Sequence, residues 1–430
     1  MSKDSIPKSI FARSSKLLGT AARIGKKEIL HRFSGKDSQL SKQVEQAELL
    51  VETLSRLKGA AMKTGQMLSL DIANLLPEEV VKVFSKLQKD SQHFMAQDEV
   101  IDILKKDLGE NFSRLSNISP NPIAAASIGQ VHLAQFENQS LAIKIQYPGV
   151  AESVDSDINT LKGVVKSLLR LSGRKISIEA LFKELSSVLK MEVDYEREAL
   201  MLQKVHTLCE DISYYCVPKV FPEISTSKVL SMSFESGIPL RDWIDREQDQ
   251  EKKDLVGSRL LELYCREFFE WGMVQTDPNH ANFLIKPESL SLVLLDFGAL
   301  KIYDQGFITT YRNFIKDVYN NNIQNALETA YEIDFIQPSE NQATKDAFIE
   351  MIKASLESLD PKRQPFDFAD QDYFKRARDT SLAFSKSVRF TAPPHRILFL
   401  HRKLAGVYGT LKRLGVKKDV SEFWKRWILD

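Results

Sequence analysis

Apolar residues recur at steps of three and four along residues 38–75. Side chains with this spacing share one face of an α-helix, so the pattern predicts amphipathic helices. Pro77, followed by two glutamates, begins another predicted helix, because proline and acidic side chains favour the first helical turn. A further helix is predicted over residues 97–108. The chain before the turn at Ser119–Pro122 is therefore expected to be mainly helical.

After this turn the hydrophobic pattern changes to short segments typical of β-strands. Residues 129–136 and 141–146 are predicted to form two strands joined by a polar turn. Long helices and a few further strands follow, and the chain is mostly helical after Gly237. The remaining predicted helices cover residues 154–171 and 178–206, and the remaining predicted strands cover 218–221, 229–234, 283–285 and 292–296. The whole pattern predicts an α+β fold with a small mixed lobe, a hinge and a larger helical lobe.

The first 36 residues differ in charge from the rest of the chain. They hold nine basic and two acidic side chains, a net charge of +7, with apolar residues interleaved. This composition predicts a basic amphipathic helix on an anionic membrane surface, and a solvated arm is the alternative. The whole chain has a net charge of +1, so no global field favours nucleic acid. No apolar stretch reaches the roughly 18 residues that span a bilayer, so any membrane contact is expected to be peripheral.

Two motifs in the second half of the chain carry candidate chemistry. Asp277 and Asn282 have the D-x-x-x-x-N spacing of a kinase catalytic loop, and Asp296 begins a D-F-G sequence 14 residues beyond Asn282. Each motif alone is common by chance, but the two together, each beside a short apolar strand, are rare. The oxygens of Asp296 and Asn282 suit Mg²⁺, which prefers oxygen ligands. Asp277 is the candidate to orient or deprotonate an attacking hydroxyl or water.

Lys144 ends an L-A-I-K segment similar to the V-A-I-K strand that carries the phosphate-contacting lysine of kinases. Such a lysine needs a carboxylate from a helix to hold it. Glu198 is the first choice for this partner. Glu192 and Glu196 remain alternatives, because the sequence does not determine the rotation of the helix.

The segment before this strand is the candidate nucleotide loop. Against the kinase pattern G-x-G-x-x-G-x-V, the last glycine and the valine match, and the first two glycines are replaced by alanine. Alanine restricts the backbone where glycine permits positive φ, so we expect a stiffer loop that favours a helix. Its two polar side chains are expected to contact phosphate. The predicted loop comprises Ala124, Ala125, Ala126, Ser127, Ile128, Gly129, Gln130 and Val131.

Together these motifs resemble the UbiB/ABC1/ADCK family of atypical kinases, also called the AarF or coenzyme Q8 family. The resemblance covers roughly residues 45–415. Two further motifs are specific to that family. The K-x-G-Q motif is matched by Lys63, Gly65 and Gln66, and the E-x-D motif is matched by Glu192 and Asp194.

The resemblance implies roles that the residues alone do not show. In the family the K-x-G-Q helix folds over the nucleotide cleft and meets the E-x-D motif. By that analogy Lys63 would pair with Glu192, which leaves Glu198 for Lys144. This cover would block a protein substrate. The implied function is ATPase or phosphotransferase activity, with ATP or ADP and Mg²⁺, in support of ubiquinone biosynthesis.

The resemblance also implies an organisation and a set of partners. A kinase-like N-lobe is expected over residues 119–236 and a helical C-lobe over 237–430, preceded by the basic arm (1–36) and a helical extension (37–118). The expected partners are nucleotide, a quinone-precursor lipid, an anionic membrane surface and enzymes of quinone biosynthesis. The expected location is cytoplasmic or peripheral on an inner membrane, on the matrix side if mitochondrial. A protein Ser/Thr kinase and a nucleotide-gated scaffold with little catalysis are the alternative functions.

Overall fold

The computed structural model describes most of the chain from residue 94 onward. The described residues are 48, 94–126, 128–171, 179–277, 279–389 and 394–429. The predicted basic arm lies outside them, as does most of the predicted helical extension. The K-x-G-Q residues Lys63, Gly65 and Gln66 and the loop residue Ser127 also lie outside the described residues.

The first half of the described chain alternates short strands with longer helices. Its elements are α1 (Gln97–Leu108), β1 (Leu115–Ser116), β2 (Ala124–Ala125), β3 (Gly129–Phe136), β4 (Gln139–Gln146), α2 (Val150–Leu171), α3 (Glu179–Glu192), α4 (Tyr195–Cys209), β5 (Tyr215–Cys216) and β6 (Val229–Ser233).

The second half is mainly helical, with strands near its beginning. Its elements are β7 (Ile238–Pro239), α5 (Leu240–Arg246), α6 (Gln250–Cys265), a π-helical turn (Arg266–Glu270), β8 (Met273–Gln275), β9 (Phe283–Lys286), β10 (Ser291–Leu294), β11 (Leu300–Ile302), α7 (Gln305–Tyr319), α8 (Ile323–Glu332), α9 (Gln342–Ser355), β12 (Phe366–Asp367), α10 (Gln371–Ser387), α11 (His395–Leu414), β13 (Lys417–Lys418), α12 (Ser421–Trp424) and a second π-helical turn (Lys425–Leu429).

The chain divides into two compact units. The first contains the described residues up to Lys204 together with Pro218–Glu235, and the second contains Val205–Val217 and the described residues from Ser236 onward. The first unit holds one antiparallel sheet, in the strand order β1-β3-β4-β6, with β2 on the outer part of β3. The second holds a four-stranded sheet in the order β5-β10-β9-β7, two smaller strand pairs and the helices α5–α12. The molecule is thus α+β, as the hydrophobic pattern predicted.

The predicted β-hairpin is present, with a tighter turn than expected. Strand β4 begins at Gln139, so only Glu137 and Asn138 remain in the turn. Both have positive φ, at 49° and 65°. Two-residue turns with positive φ at both positions match the twist of the flanking strands, which explains why the turn is short.

The helix predicted over residues 178–206 is divided into α3 and α4. Asp194 lies between them, and its carboxylate accepts a hydrogen bond of 2.9 Å from the backbone N–H of Arg197. An aspartate in this position caps the first turn of a new helix, which explains the break. The division matters because the start of α4 determines the direction of the side chains that follow it.

Buried aromatic side chains form a cluster in the core of the second unit. Phe268 contacts Tyr303, Phe307 and Tyr311 with ring centroids 5.3–6.2 Å apart, all in edge-to-face arrangements. Such arrangements add to the free energy gained by burying the rings. Among the residues that the structure describes, no helix combines the length and apolar character needed to cross a bilayer.

Candidate functional site

Lys144 lies in the centre of the first unit's sheet. It is on β4, opposite Val131 of β3 on one side and Leu230 of β6 on the other. Its ammonium group donates hydrogen bonds of 2.7 and 2.9 Å to the two carboxylate oxygens of Glu198. The side chains are only 9% and 2% exposed. A positive charge is therefore held in a specific direction inside the unit.

The N-terminal turn of α4 explains why Glu198 makes this contact. The backbone N–H of Glu198 donates to the carbonyl of Asp194, which sets the helix rotation from its first turn. Glu196, one of the two alternatives, points to solvent, and Glu192 is buried at the last residue of α3. Of the E-x-D pair, Asp194 thus acts locally as a helix cap.

Gly129 is required by close packing beside this ion pair. A Cβ atom on Gly129 would lie 2.3 Å from the carbonyl oxygen of Ile145 and 2.9 Å from the hydroxyl of Tyr195. The ring of Tyr195 in turn lies 5.1 Å from the Lys144 ammonium. The glycine at this position therefore lets β3 approach β4 and leaves room for the aromatic ring beside the lysine.

The alanine-rich loop forms a strand and not a helix. Ala124 pairs with Val131 and Ala125 with Gln130, and the N–H of Ala126 donates 3.0 Å to the carbonyl of Gly129. The expectation that alanine would favour a helix is wrong here, because the edge of β3 supplies backbone partners. This tight return brings the loop backbone to the start of the strand that faces Lys144.

Gln130 does not offer its side chain to a phosphate. Its amide oxygen accepts 2.8 Å from the N–H of Met95, and its amide nitrogen lies 2.7 Å from Nε2 of His132. Gln130 is fully buried. Burial lowers the pKa of His132 and so favours the neutral ring, although the hydrogen bond to the Ser119 carbonyl partly opposes this shift. The expected phosphate contact through this side chain is therefore wrong, since β-strand alternation turns it into the interior.

Asp277, Asn282 and Asp296 are placed by short strands of the second unit. The catalytic-loop segment runs from the end of β8 to the start of β9, so Asn282 directly precedes β9. The N–H of Leu295 donates 3.0 Å to the carbonyl of Asn282, because β9 and β10 pair along this edge. The backbones on which Asn282 and Asp296 stand are thus neighbours.

Gln275 connects the two aspartates. Its amide nitrogen donates 2.6 Å to the backbone carbonyl of Asp296, and its amide oxygen accepts 3.2 Å from the N–H of Asp277. Sequence reasoning assigned no role to Gln275, although a polar residue at the end of the short apolar strand β8 is a recognisable signal. One buried side chain therefore fixes the spacing of both motifs.

The oxygen donors at this position fit Mg²⁺. Oδ1 of Asp296 accepts 2.9 Å from the N–H of Gly298, which orients the carboxylate. Asn282 is mostly buried, and its side-chain N–H donates 3.4 Å to the carbonyl of Asp277, so the amide oxygen is the atom that would bind a metal. The described residues contain no cluster of three or more His, Cys, Asp or Glu side chains. Mg²⁺ ordinarily takes one or two protein ligands and completes its shell with water and phosphate, so a sparse set of hard oxygens is suitable.

His280 anchors the middle of the catalytic-loop segment. Its Nε2 lies 2.7 Å from the hydroxyl of Thr410 on α11. The pKa of His280 is lowered, first by burial and then by the positive charges of Arg413 and Arg241. A neutral ring at this position acts as a fixed hydrogen-bonding group.

The predicted site residues thus form two sets, one in each unit. Lys144, Glu198 and the loop stand in the first, and Asp277, Asn282 and Asp296 stand in the second. Val131 lies opposite Lys144 in the β3–β4 hairpin. Ile128, the residue before β3, is buried.

Comparison with known proteins extends these observations. The sequence model of the ABC1 atypical kinase-like domain matches residues 86–330. The chain is 35% identical to the mitochondrial atypical kinase coq-8 of Caenorhabditis elegans, over 84% of this chain and 48% of that protein. It is 34% identical to the mitochondrial atypical kinase COQ8B of Danio rerio, over 91% and 62%. For the mitochondrial atypical kinase COQ8 of Saccharomyces cerevisiae the identity is 32%, over 87% and 75%. The chain therefore spans from about half to three quarters of these relatives.

Solved structures share this fold, and one of them illustrates the likeness. It is the complex of Rv3197 with erythromycin from Mycobacterium tuberculosis, which matches with a TM-score of 0.63 at 24% identity. The match covers 95% of this chain and 98% of that one. At this identity the likeness concerns the fold alone.

Proposed function

The chain belongs to the ABC1 atypical kinase-like family and has the kinase-like fold, and from this premise we propose that it binds a Mg²⁺–nucleotide and acts as an ATPase or phosphotransferase. The proposed cofactors are ATP or ADP with Mg²⁺. The proposed role is support of ubiquinone biosynthesis or related membrane lipid metabolism, in keeping with relatives named as COQ8 atypical kinases.

The buried pair of Lys144 and Glu198 carries this proposal. Removing two charges from water is costly, and a folded domain gains little stability from such a pair. A kinase, in contrast, needs an ammonium group directed at the nucleotide phosphates and a helix carboxylate that holds it. The bidentate contact of 2.7 and 2.9 Å fits that need.

Each residue has a proposed task. Lys144 contacts the α- and β-phosphates, Glu198 orients it, and the backbone of residues 124–131 lies against the nucleotide. Asn282 and Asp296 would hold Mg²⁺, which neutralises charge on the phosphates when bound. Asp277 accepts the proton of an acceptor hydroxyl or orients a water, from a position set by Gln275.

The segment after Asp296 favours a small or lipid acceptor over a protein. Strand β11 follows almost at once and pairs with β8, and α7 begins at Gln305. In protein kinases an activation segment between the D-F-G motif and the following helices docks the peptide. Here that connection is short and tied into a strand pair, which argues against the protein Ser/Thr kinase alternative.

The proposed partners are those of the proposed function. A quinone-precursor lipid, an anionic membrane surface and enzymes of quinone biosynthesis are the partners expected beside the nucleotide. The three relatives are named mitochondrial. A peripheral position on the matrix side of the inner membrane is therefore the proposed location in a eukaryotic source, and the cytoplasmic side of a membrane in a bacterial one.

Thermal unfolding with and without Mg²⁺ and nucleotide tests the site. Nucleotide at about 100 times its dissociation constant stabilises a protein by about 2.7 kcal/mol. Asp296→Asn should lose the Mg²⁺-dependent part of this shift, while Asp379→Asn, an exposed aspartate on α10, should keep it. Equal shifts in the wild type and Asp296→Asn would remove Asp296 from the site.

An ATPase assay separates an enzyme from a nucleotide-gated scaffold. Turnover is measured alone, with anionic vesicles and with a quinone-precursor mimic, for the wild type and Asp277→Asn. Lipid-dependent turnover that Asp277→Asn loses supports the enzyme. Binding without turnover, unchanged by Asp277→Asn, supports the scaffold.

A further inference from the structure

A second buried lysine–glutamate pair lies in the second unit, among residues with no role in the proposed chemistry. Lys403 of α11 reaches the two carboxylate oxygens of Glu267 at 3.2 and 2.9 Å. The side chains are 3% and 5% exposed. Burial raises the pKa of Glu267, and the charge of Lys403 opposes that rise. Because such a pair contributes little to stability on balance, its presence calls for another explanation.

A local distortion brings Glu267 inward. The helix α6 ends in the π-helical turn Arg266–Glu270, where the N–H of Trp271 donates 2.8 Å to the carbonyl of Arg266. Glu267 and the two phenylalanines after it are all buried, whereas an ordinary α-helix turns consecutive residues toward different faces. π-helical turns occur frequently at functional sites.

The Glu267 carboxylate reaches the start of the catalytic-loop segment. The π-helical turn packs against β8, and the Glu267 carboxylate lies close to the backbone N–H of Gln275. The side chain of Gln275 in turn contacts the carbonyl of Asp296 and the N–H of Asp277. A single residue therefore lies between the buried carboxylate and the backbones of both aspartates.

Helix α11 reaches the same segment further along. Lys403 lies 5.8 Å from the ring of Phe283, the residue after Asn282, and Thr410, two turns later, contacts His280. A cavity of about 20 Å³ lies between these groups and is lined by Lys403, His280 and Thr410, among others. This volume holds about one water. The loop is thus held at its beginning, middle and end.

We propose that Glu267 is a positioning residue that fixes the backbone of Gln275, and with it Asp277 and Asp296, while Lys403 orients the carboxylate. The effect on turnover rests on the proposed function, since the position of Asp277 affects a rate only if the segment takes part in the reaction. The alternative is a pair that only supports the fold.

Two double variants of the full chain distinguish these explanations. Glu267→Met with Lys403→Met removes both charges and also the acceptor for the Gln275 N–H. Glu267→Gln with Lys403→Met removes both charges but keeps a carbonyl acceptor. Neither leaves a lone buried charge, so both are expected to fold. Glu350→Gln, which loses an exposed ion pair with Lys353 on α9, is the control for a change remote from the segment.

Hydrogen exchange measured by mass spectrometry gives a readout that needs no activity. In the Met/Met variant, the peptide covering residues 273–283 should exchange at least about tenfold faster than in the wild type, with other peptides of the second unit unchanged. The Gln/Met variant and Glu350→Gln should stay close to the wild type. Equal exchange in the two double variants, or faster exchange throughout the unit, would overturn the positioning role.

Nucleotide turnover gives the second readout. The Met/Met variant should lose roughly 10- to 100-fold in kcat, with KM for nucleotide changed by less than about threefold, because a small displacement of a reacting group has an effect of this size. The Gln/Met variant should recover most of the loss. If the wild type shows neither turnover nor nucleotide-dependent stabilisation, the proposed function fails, and the exchange comparison still decides the contact. Equal kcat in the two double variants overturns the proposal.

Discussion

Each unit of the molecule contains a buried lysine–glutamate pair, and the two pairs differ in what they hold. Lys144 and Glu198 join the central strand of a sheet to the first turn of a helix. Lys403 and Glu267 join α11 to the π-helical turn that precedes the catalytic-loop segment. Distances and burial are nearly the same in both. Burial and ion-pair distance alone therefore do not distinguish the function of one pair from that of the other.

The difference lies in the contacts beyond each pair. Beside Lys144 stand an aromatic ring and a hairpin whose glycine permits close approach, so the ammonium group itself is the proposed ligand of phosphate. The Glu267 carboxylate lies close to the backbone of Gln275, so this pair is proposed to act through other residues. Lys144, the proposed phosphate ligand, lies in a recognisable sequence motif. Glu267, which is proposed to act through the backbone of Gln275, belongs to no such motif.

Replacing either lysine by methionine is expected to have the largest effect. Lys144→Met and Lys403→Met each leave a buried carboxylate without its charge partner, and each should lower the free energy of unfolding by about 3–5 kcal/mol. Only Lys144→Met should also lose the stabilisation by Mg²⁺–nucleotide. Denaturant unfolding with and without nucleotide measures both. If nucleotide stabilises the two variants equally, Lys144 does not bind phosphate and the comparison breaks.

Acid should destabilise the second unit through His401. Burial lowers the pKa of this histidine to about 4. In the unfolded chain the pKa is about 6.5, so between these values the unfolded state binds more protons and stability falls as pH falls. The loss should reach about 3 kcal/mol at pH 4.

His401→Gln, which keeps an acceptor for the Tyr311 hydroxyl, should remove this part of the pH dependence in unfolding at pH 7, 5 and 4. His132 in the first unit provides a contrast, because its hydrogen bond to the Ser119 carbonyl partly offsets the lowering of its pKa by burial. His132→Gln should therefore change the dependence of stability on pH less than His401→Gln does. A larger change for His132→Gln would reverse this part of the comparison.

Gly129→Ala should disturb the first pair without altering its charges. The new Cβ would lie 2.3 Å from the carbonyl oxygen of Ile145, so the strands must separate, at a loss of about 1–3 kcal/mol. Gly409→Ala is the control, because nothing lies within 4 Å of its Cβ and alanine favours the helix by up to about 1 kcal/mol. Thermal unfolding compares them. Equal stability of the two variants would mean that the hairpin adapts freely.

Restoring glycine in the loop should have the smallest effect. Ala124→Gly with Ala126→Gly should lower stability by about 0.5–1 kcal/mol per residue through backbone entropy, and should change the ratio of ATP to ADP affinity measured by titration calorimetry. Ala383→Gly, exposed on α10, should lose stability without affecting nucleotide. Unchanged ATP and ADP affinities would show that the alanines do not shape the loop for nucleotide.

Much of the fold could be predicted because its signals are local. Alternation of apolar residues predicted the β3–β4 hairpin, and helical spacing predicted α1, most of α2 and most of the residues of α3 and α4. The errors came where contacts made by the folded chain, and not the local pattern, decided the outcome. The loop of Ala124 and Ala125 became a strand because β3 offered it an edge, and Gln130 turned inward because Met95 and His132 meet it there.

The sequence by itself determined the residues that carry the proposed chemistry. The spacing of Asp277, Asn282 and Asp296 and the strand before Lys144 are short-range patterns, and the residue types identify the ligands that Mg²⁺ and phosphate prefer. Only the tertiary structure decided which groups hold them in place. It selected Glu198 from three glutamates through the cap of α4, and it brought Glu267 under Gln275. Such contacts depend on helix rotation and on packing between distant segments, and neither property is written in the spacing of residues along the chain.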